Sequence, residues 1–291
     1  MTANFKNSEL DALVSLLDEP DDNMFDQVRD KIYSYGLDAI PILENAWDGS
    51  ADNDLQSRIE TIIHQIQFDH LLQEFTLWKT TLSHDLLKGF ILVAKYQYPE
   101  LDEKVIITQV GKIIQDVWLE LNNNLTPLEK IKVLNHIFFD VSGFRDDRKD
   151  LYSPNNSFIN SVLESRKGNS VSLSILYMVV AQSLKIPVYG INLPQEFVMA
   201  YMGTMILDEK SITAKDVQFY LNAKNKGAVF TRREIERFLM QLNLEAEDKY
   251  FLPCENTTII RRVLNNLLFS FQQSGNTEKA SEIKKIQELL S

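Results

Sequence analysis

The feature that most restricts how this chain can fold lies past its midpoint. There Gly168-Asn169-Ser170 opens onto Val171-Ser172-Leu173-Ser174-Ile175-Leu176-Tyr177-Met178-Val179-Val180-Ala181. A helix that is apolar on almost every side has no solvent face and must be wrapped by other elements. The segment falls short of the roughly 20 residues a membrane span needs, as does every other apolar run in the chain. It is therefore predicted as the central helix of a soluble body. With 44% hydrophobic residues in 291, the chain has ample apolar surface to enclose it. Small polar residues at the helix start leave unpaired amides, and a favourable dipole, for an anion or thiolate.

Three β-like runs follow: Ile186–Ile191, Phe197–Met202 and Met205–Leu207, with Gly203-Thr204 as a tight connector that predicts a hairpin between the last two. A buried helix on a small antiparallel sheet is an α+β arrangement. The rest reads as helix. Leu86–Tyr96, Val105–Asn122, Thr126–Phe139 and Ser157–Arg166 precede the central helix; Thr231–Leu242, Thr257–Gln273 and Thr277–Leu290 follow the sheet. Thr126-Pro127-Leu128-Glu129 places an N-cap, an N1 proline and an N3 glutamate in order. The polar stretch 222–227 resembles a linker. Boundaries are accordingly expected near 78 and 222, dividing the chain into segments 1–78, 79–222 and 223–291.

The first segment carries the charge. Residues 1–80 hold 5 Lys+Arg against 16 Asp+Glu, and residues 81–291 hold 25 of each, so the net −11 belongs to the head. An acidic head on a neutral body offers no field for polyphosphate, and nucleic acid is not expected as a partner. At an offset of 30, Leu10 aligns with Ile40, Leu13 with Leu43, Leu17 with Trp47, Asp22 with Asp52 and Ile32 with Ile62. This two-helix unit repeated twice is similar to a short HEAT-type pair.

Catalytic signals are sparse. A single cysteine, Cys254, excludes an internal disulfide and a multi-thiolate zinc site, and reads as a small core filler. His64 and His70 are six apart, about 240° around a helix, so they cannot share a metal. His84 and His136 complete the set, the latter read as solvated. P-loop, dinucleotide and His-Glu-x-x-His patterns are absent, and neither a cofactor nor a metal is expected. The start of the chain lacks a signal-peptide pattern, which predicts a cytoplasmic protein.

The order glycine turn, buried helix, meander resembles the papain-like core of the transglutaminase-like superfamily, and more closely its bacterial SirB-type branch. The likeness rests on Tyr152–Ser157, Val162–Gly168, Gly190–Pro194 and Ile206–Asp208. Further support comes from Leu87–Phe90, Tyr98–Asp102, Phe138–Phe144 and Ile260–Leu267. The resemblance implies a nucleophilic cysteine at the helix start, a histidine on the next strands and an aspartate after it. In this sequence those positions fall on Ser170 (Ser172 being the alternative), on Glu196 within Pro194-Gln195-Glu196-Phe197, and on Asp208. Thiolate is accessible near neutral pH; serine needs a base, and a carboxylate is a weak one. That branch also carries a tetratricopeptide-type hairpin, matched by Leu267, Phe271, Gly275, Ala280 and Ile283.

The expectation is therefore a mainly helical α+β protein with a transglutaminase-like core flanked by helical repeats. Its degenerate triad points to a non-catalytic module that binds a protein or peptide. A surviving cleft would be lined by Tyr152, Asn156, Asn169, Ser170, Ser172, Glu196 and Asp208. In a purely structural role, Tyr152 and Asn156 would steady a loop and Ser170 would cap the helix. The competing expectation is an amidase, protease or acyl transferase using Ser170 with Glu196 and Asp208. A Glu196–Asp208 pair is too thin a ligand set for a divalent cation.

Overall fold

Breakers and caps shape the acidic head much as its sequence dictates. The computed structural model describes residues 2–19, 21–206 and 212–291, and the chain divides into two compact units, Met1–Glu74 and Phe75–Ser291. In the first, α1 (Thr2–Val14) is followed by α2 (Asp22–Tyr33), whose start is capped by the Asp21 carboxylate accepting from the Asn23 and Met24 N–H groups. Gly36 adopts φ +58°, and a 3-10 turn over Gly36–Ala39 leads into α3 (Ile40–Gly49), with Pro41 in its first turn. The long α4 (Asn53–Leu77) closes the set. Positions related by the 30-residue offset, Leu10 with Ile40 and Ile32 with Ile62, are all buried in one apolar core. Arg58 ties the pairs together: its guanidinium donates to Leu17 O (2.9 Å) and lies 4.6 Å from the Phe25 ring centroid.

The second unit opens with α5 (Leu86–Lys95), α6 (Glu103–Glu120) and α7 (Pro127–Asn135). The predicted capping box forms: Thr126 Oγ1 accepts from Glu129 N–H while the Glu129 carboxylate accepts from Thr126 N–H. Beyond Asn135 the helix loosens into a π-helical turn, His136–Val141, that turns Phe138 and Phe139 into the core. The two-residue strand β1 (Arg145–Asp146) comes next, then α8 (Ile159–Ser165), and then β2 (Lys167–Gly168), which pairs with β1 in parallel.

The apolar segment forms α9 (Ser170–Ser183), and ten of its residues are buried. It packs against α5, α6 and the sheet. Tyr177, fully enclosed, meets the rings of Phe138 (5.4 Å) and Phe139 (5.9 Å), and burial holds its phenol far above the ordinary tyrosine range. The sheet has four antiparallel strands in the order β3 (Val188–Asn192), β4 (Phe197–Met202), β5 (Val217–Asn222) and β6 (Ala228–Phe230). With 64% of the chain helical, this is the mainly α, α+β architecture expected. Helices α10 (Arg232–Gln241), α11 (Asn256–Gln273) and α12 (Thr277–Leu289) complete the unit, α11 packing on α5, α9 and β3.

Two local expectations are corrected. Met205-Ile206 is not a strand; β4 pairs instead with β5, eleven residues further on, and Leu207 lies outside the described residues. The stretch 222–227 is not an inter-domain linker but a hairpin connector, because β6 beyond it adds to the same sheet.

Candidate functional site

The N-terminus of α9 is where the resemblance places a nucleophile, and its construction is local. Arg166 ends α8 in a left-handed conformation, and Lys167-Gly168 run alongside Arg145-Asp146. A Cβ on Gly168 would lie 2.6 Å from Ser172 Oγ, so this turn admits glycine alone. Asn169, not Ser170, is the N-cap. Its Oδ1 accepts from Val171 N–H (3.1 Å) and Ser172 N–H (3.0 Å), while Ser172 Oγ accepts from Asn169 N–H (3.0 Å). Asn169 Nδ2 donates to Ser157 Oγ (3.0 Å), and Asn156 Nδ2 to Asp150 O (2.7 Å), which fastens the preceding loop to the cap. Two amides of this helix start, those of Val171 and Ser172, are thus already occupied by a side chain of the protein.

Ser170 itself is the first residue of the helix, half-buried, and no described residue hydrogen-bonds its hydroxyl. Ser172 is fully buried and committed to the cap. Glu196 is bonded elsewhere: its Oε1 accepts from Lys224 Nζ at 3.1 Å, and its Oε2 is buried without a hydrogen-bond partner among the described residues. Arg262 lies close enough to feel this charge. Burial lowers its guanidinium from its ordinary range, Glu196 opposes that shift, and Arg262 donates to Leu193 O at 3.3 Å. No hydrogen bond joins Glu196 to Ser170. Asp208 lies outside the described residues. Tyr152 is exposed and rests on the Phe269 ring, centroids 5.1 Å apart. Asn156, Asn169 and Ser172 are therefore brought together, but as a fastening; Tyr152 stands apart from them.

Two cavities flank this region. One, of 360 Å³, runs between β6 and α10; Leu193, Val198, Phe230, Ile235 and Phe238 make its apolar wall, and Glu196 and Glu234 its acidic part. The other, of 460 Å³, lies between β1, Lys167 and the 223–226 turn, with Phe139 and Ala223 among its lining. Ser170 lines neither. The turn that bears Lys224 and Lys226 is held from inside. Tyr177 Oη donates to Asn135 Oδ1 (2.7 Å), and Asn135 Nδ2 donates to Gly227 O (3.0 Å). Gly227 sits at φ +68°, where a Cβ would lie 2.0 Å from Asn135 Oδ1.

Sequence reasoning does not single out Asp146, Asp147, Lys167, Lys224 or Lys226. The dense mixed charges of Arg145-Asp146-Asp147-Arg148-Lys149 are the available signal, and they match no ligand motif by themselves. Among the described residues, no three His, Cys, Asp or Glu side chains cluster as a metal site, and no helix is long and apolar enough to cross a membrane.

Comparison with known proteins agrees with this architecture. The chain is 27% identical over 217 residues to a UPF0162 protein of Xylella fastidiosa, covering 70% of this chain and 73% of the relative. It is 26% identical over 183 residues to the UPF0162 protein of Vibrio cholerae, covering 62% and 64%. F-box only protein 21 of Mus musculus is 28% identical over 145 residues, half of this chain but 22% of that protein. No solved structure matches significantly. The family model described as "Transglutaminase-like superfamily" matches residues 104–265, more than half the chain, from α6 through the buried helix and the sheet into α11; the chain belongs to the transglutaminase-like superfamily.

Proposed function

We propose that this protein is a non-catalytic member of its superfamily, of the SirB-type branch, that binds an extended segment of a protein or peptide. The carrying observation is the state of the family's catalytic positions. Serine stands where the thiol would be, its neighbouring amides are taken by Asn169, and the position expected to hold a base is a glutamate engaged by Lys224. A serine hydroxyl with no base loses most of what the triad contributes, on the order of 10⁶ in rate.

The 360 Å³ groove beside β6 suits an extended peptide. β6 is the last strand of the sheet, so its outer edge can accept another strand. Apolar side chains of the guest would fill the wall of Leu193, Phe230 and Phe238, and a lysine or arginine would face Glu196 and Glu234. Segment 1–78 is read as a HEAT-like head, and the remainder as a core that runs through β6 and ends in a tetratricopeptide-like hairpin, in a cytoplasmic protein. Asn156, Asn169 and Ser172 are assigned to fastening the loop and the helix start.

The test pairs peptide arrays with amide and ester probes on the full-length chain. The expected result is retention of peptides that set a basic residue among apolar ones, weakened about tenfold by Val229→Asp, with no turnover. Turnover that Ser170→Ala abolishes at unchanged stability would replace this reading with acyl transfer or hydrolysis.

A further inference from the structure

The larger cavity has a charge that the rest of the unit does not. Six cations line its 460 Å³: Arg145, Arg148, Lys149, Lys167, Lys224 and Lys226. Asp146 and Asp147 are the carboxylates in the lining. Two more reach in from outside, Glu196 to Lys224 (3.1 Å) and Asp140 to Lys226 (2.9 Å). Six positive charges against four negative leave an excess of two, in a stretch of chain, residues 81–291, whose acids and bases balance as a whole.

The internal pairs are also open. Arg148 stands 3.9 Å from Asp146, and Lys167 3.9 Å from Asp147, both beyond hydrogen-bonding distance. Both carboxylates are nevertheless well covered, with side-chain exposures of 9% and 12%. Burial raises the Asp146 carboxyl above the ordinary aspartate range despite Lys224 and Arg148 nearby. The walls are firm: Lys224 and Lys226 ride on the turn clamped through Asn135 to Tyr177, and Arg145 and Lys167 on the paired strands β1 and β2.

We infer that this cavity is a binding site for a small dianionic phosphate, free or as a monoester. A tetrahedral dianion concentrates two charges on one head, which suits cations converging from opposite walls, and two arginines offer forked donors to its oxygens. A dicarboxylate of equal charge spreads its two charges apart. This assignment does not rest on the peptide groove, which has other walls and the opposite charge.

Calorimetric titration of the full-length chain with inorganic phosphate, glycerol 2-phosphate and succinate, at constant ionic strength, tests it. Expected is saturable binding of one phosphate or phosphate monoester per chain, and none of succinate. Binding of inorganic phosphate alone identifies the free ion as the ligand; binding of both extends the class to monoesters. The double variant Arg145→Ala/Lys149→Ala, both exposed, is expected to bind at least tenfold more weakly while melting as the parent does without ligand. Asp146→Asn, which removes a competing carboxylate, is expected to bind several-fold more tightly, an effect no merely structural role would give. Equal binding of succinate and phosphate, no saturable binding, or undiminished affinity in the double variant would each overturn it.

Discussion

The start of α9 and the rim of the larger cavity are neighbours, yet they treat polar groups in opposite ways. At the helix start, donors and acceptors close on each other: Asn169 serves the Val171 and Ser172 amides, Ser172 serves Asn169, and Asn169 reaches back to Ser157. At the rim, two ion pairs stand 3.9 Å apart and cations outnumber acids. A buried polar group left unmatched costs free energy, so a fold keeps one where something arrives to match it. On the proposed reading, the position that the resemblance assigns to a nucleophile now belongs to a closed helix cap, and the capacity to receive a ligand lies beside it.

Four substitutions can break or sharpen that contrast. Gly227→Ala should have the largest effect, about 3 kcal/mol of destabilisation by chemical denaturation, because it combines a left-handed backbone with a collision against Asn135. A loss below about 1 kcal/mol would mean that the clamp on the rim is not rigid. Asn169→Ala removes the cap and should cost about 1 kcal/mol, within the usual range for N-caps, without altering affinity for phosphate.

Asp146→Asn should act more weakly and in the other direction. Burial chiefly holds this carboxyl above its ordinary range, with Lys224 and Arg148 pulling it back. The folded state therefore binds its proton more tightly than the unfolded state does, and stability falls as pH rises from the ordinary aspartate range through the raised native value. The variant should match the parent below that window and exceed it above; equal pH profiles would remove the claim. Ser170→Ala should change least, within about 0.5 kcal/mol, since its hydroxyl has no partner among the described residues. A larger loss on thermal melting would show that the serine still does structural work.

How far the sequence disclosed this depends on the range of the interaction concerned. The Thr126–Glu129 cap and the central helix are legible because each is written within a few neighbouring residues. The partner of β4 is not. Met205-Ile206-Leu207 looks more strand-like than Val217–Asn222, of which only Tyr220 and Leu221 are buried, so local pattern favoured the wrong run. Asn169 and Ser170 both read as cleft lining, with Ser170 as the cap in the structural alternative, because both residue types serve either role; the backbone angles make Asn169 the cap. The larger cavity was least accessible of all, since residues 145–149, 167 and 223–226 are joined by tertiary contacts that no motif records.

The path from Tyr177 through Asn135 to Gly227 makes the 223–226 turn a fixed jaw. The opposite lip is held as far as Asp147, whose N–H donates to Gly168 O (3.0 Å), so whatever adjusts around an incoming molecule must be the exposed Arg148 and Lys149 beyond it. Adaptation to guests of different bulk would be confined to that lip, leaving the hydrophobic interior undisturbed from one guest to the next.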